Sequence, residues 1–164
     1  MFNRHGKLLS ISYEFKPALD MLRTILDAAA FKRADCEALE RRHNVGRGTL
    51  IVLDVVPEPP EPAYADLYDL NYPYLERRKW LEAVLPIAEC KSSAGRWVHS
   101  NTIVLVPNTL NPSEAWQDLQ LCNRNAGLEF YEGLVAKRAD APYPIQLRSP
   151  DEESSSLIKH RWKF

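Results

Sequence analysis

Residues 129–144 read EFYEGLVAKRADAPYP, and the fold turns on the middle of this stretch. Phe130 to Arg138 surrounds an apolar Leu134-Val135-Ala136 core and gives way to loop chemistry at Ala139-Asp140-Ala141-Pro142. That pattern predicts a short strand. Strand alternation sends Glu132, Leu134 and Ala136 to one face, and Gly133, Val135 and Lys137 to the other. The charges at its two ends therefore address different partners.

Working outward, four more segments read as strands: LLSIS (8–12), TLIVLDVV (49–56), VHSNTIVLV (98–106) and SLIKHRWKF (156–164). They are apolar or β-branched and bounded by loop residues. Helical spacing appears over 17–30, where Leu19, Leu22, Ile25, Leu26 and Ala29 share a face and Pro17 suits the first turn. A second helix starts near Tyr74 and falters at Pro86. A third starts at Asn111-Pro112-Ser113-Glu114, with Asn as N-cap, Pro at N1 and Glu in capping-box position, and ends near Gly127. VPEPPEPAY (56–64) is a stiff loop, and 141–156 is a second irregular stretch. Strands interleaved irregularly with helices predict an α+β fold, a mainly antiparallel sheet with flanking helices. The six glycines form no phosphate loop of the doubly wound kind.

The 164 residues suit one domain, 1–164, with a real core. A net charge of −1 excludes a global basic field, so local patches must carry any phosphate contact. No apolar run is long enough for a membrane span, so no membrane partner is expected. The N-terminal MFNRHGKLLS lacks an apolar signal core, which favours a cytoplasmic protein. Cys36, Cys90 and Cys122 are widely spaced, with no CxxC pair, and support neither a disulfide framework nor a zinc site.

Charged residues gather at five places: Asn3-Arg4-His5-Gly6-Lys7, Asp35-Cys36-Glu37, Leu53-Asp54, Glu132-Gly133 with Lys137, and Lys159-His160-Arg161-Trp162-Lys163. Singly, each reads as a solvated turn or strand end. In this order they resemble the covalent nucleotidyltransferase superfamily of ATP-dependent DNA ligases, RNA ligases and mRNA capping enzymes. The adenylation domain of ATP-dependent DNA ligases is the nearest match. NRHGK looks like the arginine-glycine motif that follows the nucleophile, and ADCEALERRH is similar to the third motif. LIVLDVV with YLERRKWLEAVL resembles the motif of a hydrophobic strand, an aspartate and a downstream Arg-Arg helix. EGLVAK matches the fourth motif almost letter for letter, and LIKHRWKF resembles the fifth.

The resemblance implies a partial nucleotidyltransferase (ATP-grasp-like ligase) domain that uses ATP and Mg2+ on nicked DNA. Adenylyl transfer rests on positioning and on neutralising phosphate charge. By resemblance, Lys159 and Arg161 stand near the α-phosphate, with Lys163 as an alternative cation. Glu132 helps to hold the divalent ion, Glu37 contacts the nucleotide or its metal, and Arg4 reaches the DNA 5′-phosphate. Gly133 is expected to let a ligand approach the backbone.

The pattern departs from the family in three ways. The chain holds no Asp-Gly pair, so the Lys-x-Asp-Gly nucleophile motif is missing and no catalytic residue is assigned. It stops at Phe164 without the OB-fold domain of nick-sealing enzymes. Cys36 stands where glycine is usual, and Leu53 where an aromatic often stacks on adenine, which leaves apolar contact without the stacking face. The expectation is a truncated adenylation domain, unable to self-adenylylate unless an upstream polypeptide supplies the lysine. The alternatives are a non-catalytic nucleotide or DNA-end binding module, and an RNA ligase-type enzyme.

Overall fold

The computed structural model describes residues 10–28, 31–39, 48–57, 72–88, 90–91, 96–97, 103–127, 131–143 and 157–161. A 3-10 turn, Tyr13–Phe15, leads into helix α1, Lys16–Asp27. Strands β1, Phe31–Ala38, and β2, Leu50–Pro57, follow, then helix α2, Tyr74–Val84. Short strands β3, Cys90–Lys91, and β4, Arg96–Trp97, precede β5, Ile103–Leu105, and helix α3, Pro112–Ala126. Strands β6, Gly133–Lys137, and β7, Leu157–Arg161, complete the order. The protein is α+β.

A three-stranded sheet has the order β1-β2-β5, and β3-β4 and β6-β7 are separate pairs. β1 runs antiparallel to β2, but β5 runs parallel to it. The expected mainly antiparallel sheet is therefore a mixed one at its centre. Parallel pairing requires a crossover, and α2 lies in the chain between β2 and β5. β2 is the central strand, and Leu50, Ile51 and Val52 are buried. On one sheet face Leu50, Val52, Val55, Ile103 and Leu105 pack with Ala18 of α1 and with Leu81 and Leu85 at α2. Leu19, Leu22, Ile25 and Leu26 of α1 pack against this core, so the predicted apolar stripe meets the sheet as helical periodicity requires. On the other face Ile51 and Val104 pack with Leu39 and Ala88, and Leu53, Val106 and Tyr131 join them.

The third helix keeps its predicted ends. Asn111 Oδ1 accepts from the Glu114 N–H at 3.2 Å, and Gly127 closes the helix with φ 62°. Glu114 reaches back to the Asn111 side-chain amide at 2.9 Å rather than to its backbone N–H, which donates to Thr109 Oγ1. One expectation fails, and one strand was not anticipated. Within 8–12, residues 10–12 form no strand and lead into the 3-10 turn. β1, with the sequence FKRADCEA, shows none of the apolar runs that marked the other strands, yet it pairs along its length with β2.

Candidate functional site

The lone acid of TLIVLDVV shapes the site. Asp35 pairs with Asp54 whereas Cys36 pairs with Val52, so Leu53 is an extra residue in β2, a bulge. The packing shows the result: Val52 and Val55, three apart, enter the same core, while Ile51 and Leu53 face the other. Strict alternation would have put Asp54 beside Val52 in the first core; the bulge re-aims it.

Asp54 is 1% exposed and needs its charge compensated. Arg77 of α2 provides a two-pronged contact, Nε to Oδ1 at 2.9 Å and Nη2 to Oδ2 at 3.1 Å. Lys137 of β6 donates to Oδ2 at 3.0 Å and to the Leu53 carbonyl at 3.4 Å. The Val55 N–H donates to Oδ1 at 2.8 Å. Arg77 Nη1 donates to the carbonyls of Tyr72 and Ala141. Its guanidinium lies 5.7 Å from the rings of both Tyr74 and Tyr143, and the Lys137 ammonium 4.7 Å from Tyr74. Tyr143 donates its hydroxyl to Asp35 Oδ2 at 3.3 Å. Burial, then the charge of Asp35, push the Tyr143 phenol pKa up, so at neutral pH it stays a donor. Two acids opposite one another repel; Arg77 and Lys137 bring two positive charges to the same place.

The β6-β7 pair stands on this cluster. Gly133 lies opposite Arg161, Val135 opposite Lys159, and Lys137 opposite Leu157. Directly paired residues share a face, so Lys137, Lys159 and Arg161 project from one side. Lys137 reaches β2 from that side, whereas Lys159 and Arg161 are exposed there. The other side carries Leu134, Ala136, Ile158 and His160 and borders α3 across a groove of about 460 Å³. There the rings of Trp116 and His160 are 4.9 Å apart. That groove lies on the face opposite the cations. Asn123 of α3 anchors the approach to β6, exchanging two hydrogen bonds with the Tyr131 backbone at 2.8 and 3.0 Å.

Glu132 and Arg161 come together, with Oε2 and Nη2 3.8 Å apart. Lys159 is exposed on the same face of the pair as Arg161. Leu53 is partly buried against the second core, and its carbonyl holds Lys137. Glu37 is exposed and pairs with Ile51, so it shares the sheet face of Leu53; no described hydrogen bond or ion pair joins it to β6 or β7. Arg4 and Lys163 lie outside the described residues. Among the described residues, no group of three or more His, Cys, Asp or Glu side chains is placed to hold a metal ion. The close approach at Gly133 comes from β7: a Cβ there would meet the His160 carbonyl oxygen at 2.0 Å. The neighbouring strand thus requires a glycine here by itself.

Arg77, Tyr74 and Tyr143 were not among the expected site residues, and Lys137, singled out in the sequence, had no partner named for it. The signal was a lone carboxylate inside a buried apolar run, which demands a cation, and an Arg-Arg pair on the following helix. Cys36, in the third-motif position, packs toward the first core instead of the shared face of Glu37 and Leu53. Burial, then the charge of Asp35, push its thiol up to about 12. Alkylation by iodoacetamide at pH 8 is expected to be at least ~100-fold slower at Cys36 than at a free cysteine, because the thiolate is the reactive form. Peptide mapping that finds a rate within tenfold of free cysteine refutes this placement.

The fold and site define an α+β protein in which a cationic two-stranded pair is tied through a buried ion cluster to a bulged central strand. Comparison of the chain with protein-family models, with characterised proteins and with solved structures finds no match.

Proposed function

We propose that the chain is part of the adenylation domain of an ATP-dependent DNA ligase-like protein, acting in adenylyl transfer and nick sealing during DNA repair, replication or recombination. The observation that carries this reading is the β6-β7 pair. It brings the fourth-motif Glu132 to 3.8 Å from the fifth-motif Arg161 and sets Lys159 on the same side of the pair as Arg161, the side from which Lys137 reaches the Leu53 carbonyl.

The donor set fits a nucleotide with magnesium better than a protein-only metal cage. Mg2+ is commonly held by one or two carboxylates together with substrate phosphates, and Glu132 is one such carboxylate beside exposed cations. Bound magnesium-ATP supplies an electrophilic α-phosphate. In this reading Lys159 and Arg161 neutralise and orient the phosphates, Glu132 offers an oxygen ligand, and Leu53 and Glu37 contact the nucleoside end. Arg4 would address the 5′-phosphate of nicked DNA. The covalent step needs a lysine in a Lys-x-Asp-Gly setting, which these residues do not contain.

Calorimetric titration with ATP, with and without Mg2+, tests the reading. Binding should depend on Mg2+, and Lys159→Ala with Arg161→Ala should weaken it at least tenfold. Glu132→Ala should lower affinity in Mg2+ but raise it slightly without metal, because Arg161 loses its acidic neighbour. Labelled ATP should leave the polypeptide without covalent label. Absence of any ATP binding refutes the nucleotide reading, and an adenylyl-lysine adduct refutes the claim about the nucleophile.

A further inference from the structure

We propose that Lys137 is a positioning residue whose grip on β2 sets the spacing between the cationic face of β6-β7 and the sheet face of Leu53 and Glu37. This rests on the reading of those faces as a nucleotide site. Lys137 shares its side of the pair with Lys159 and Arg161, yet its ammonium is spent on Asp54 Oδ2 at 3.0 Å and on the Leu53 carbonyl at 3.4 Å. Its side chain is 17% exposed, whereas Arg161 is 68% exposed. Three cations on one face thus divide their work: two remain accessible to an anion, and the third is consumed inside the protein. The contact falls on the bulge that re-aims Asp54, so one side chain fixes both the register residue Leu53 and the acid beside it. Tyr74 covers the ammonium at 4.7 Å, which shields the contact from water and favours a single geometry.

Other links hold the pair to the body. Asn123 grips Tyr131, and the segment after β6 caps α2 through the Tyr74 and Leu75 N–H groups, which donate to Ala141 and Ala139. Loss of Lys137 alone should therefore leave the protein folded while β6-β7 loses its fixed spacing.

The test uses Lys137→Met, which keeps most of the stem, and Lys137→Arg, which restores a donor. Three readouts are combined: the thermal midpoint, amide exchange over residues 157–161, and ATP affinity in Mg2+. Lys137→Met is expected to weaken ATP binding by roughly five- to tenfold and to speed exchange over 157–161, while β5 exchange stays unchanged. Lys137→Arg should recover affinity to within about threefold. Asp54→Asn, compared at a temperature where its circular dichroism matches the parent's, gives the opposite sign for the rival role. If Lys137 itself touched phosphate, removing the Asp54 charge would strengthen ATP binding; a positioning role weakens it. Unchanged exchange and affinity in Lys137→Met overturn the proposal, and so does tighter binding by Asp54→Asn. If the unaltered protein binds no ATP, the nucleotide reading fails first. The exchange data then decide alone whether Lys137 holds the pair in place.

Discussion

Asp54→Ala should cost the fold about 3–5 kcal/mol, much of what holds a domain of this size together. The reason is the charge left behind more than the contact removed. Arg77 is 1% exposed, and without Asp54 its guanidinium keeps only the carbonyls of Tyr72 and Ala141 as hydrogen-bond acceptors, beside the Tyr74 and Tyr143 rings. One effect acts the other way: Asp35 no longer faces a like charge across the strands, a relief of roughly 0.2–1 kcal/mol. The unpaired buried cation wins. Changing all three charged groups together, Asp54→Leu with Arg77→Met and Lys137→Met, should recover stability to within about 2 kcal/mol of the parent, because apolar replacement of a complete buried ion cluster is often neutral. Urea unfolding followed by circular dichroism reads both variants. A single Asp54→Ala protein that loses under 1 kcal/mol would show that the carboxylate is not buried among these cations.

The residues explain why some of this architecture was legible in sequence and some was not. The ends of α3 are written in local chemistry, Asn111 before Pro112 and Glu114, and Gly127 in a left-handed conformation, and local signals survive whatever packs around them. The apolar stripe of α1 and the β-branched run of β2 were equally plain. β1 was missed because, among the described residues, it is an edge strand with one neighbour and only partial cover, so FKRADCEA could hold charges where a central strand could not. The parallel placement of β5 depends on a crossover, which short-range patterning does not encode. The bulge at Leu53 is similarly silent, since a one-residue insertion becomes visible only against the partner strand. For the site, the sequence correctly kept Glu132 and Lys137 apart: the first meets Arg161 and the second meets Asp54. It did not show that Arg77 and Arg78 are both buried, because paired arginines on a helix ordinarily read as a solvated face.

Gly133→Ala should detach the start of β6 from β7 and cost on the order of 3 kcal/mol. Gly133 has φ 154°, a conformation that side-chain-bearing residues rarely adopt. Space is the harder constraint. An added Cβ would lie 2.0 Å from the His160 carbonyl oxygen, 2.8 Å from Arg161 Cα and 2.9 Å from the His160 carbonyl carbon. All three are backbone atoms of β7, so no rotamer change can make room, and the strands must separate. Gly133 pairs with Arg161 and follows Glu132, so separation here also pulls apart the 3.8 Å contact between those side chains. The far end of the pair should hold, because Lys137 stays fixed to Asp54. Amide exchange should therefore accelerate for residues 160–161 more than for 157–158, with α1 and β5 unaffected. Equal protection along the whole of β7, at parental stability, would mean that the strands do not approach one another at this glycine. If the nucleotide reading is right, the same variant loses Mg2+-dependent ATP binding, because the carboxylate and the cation it accompanies no longer share one place.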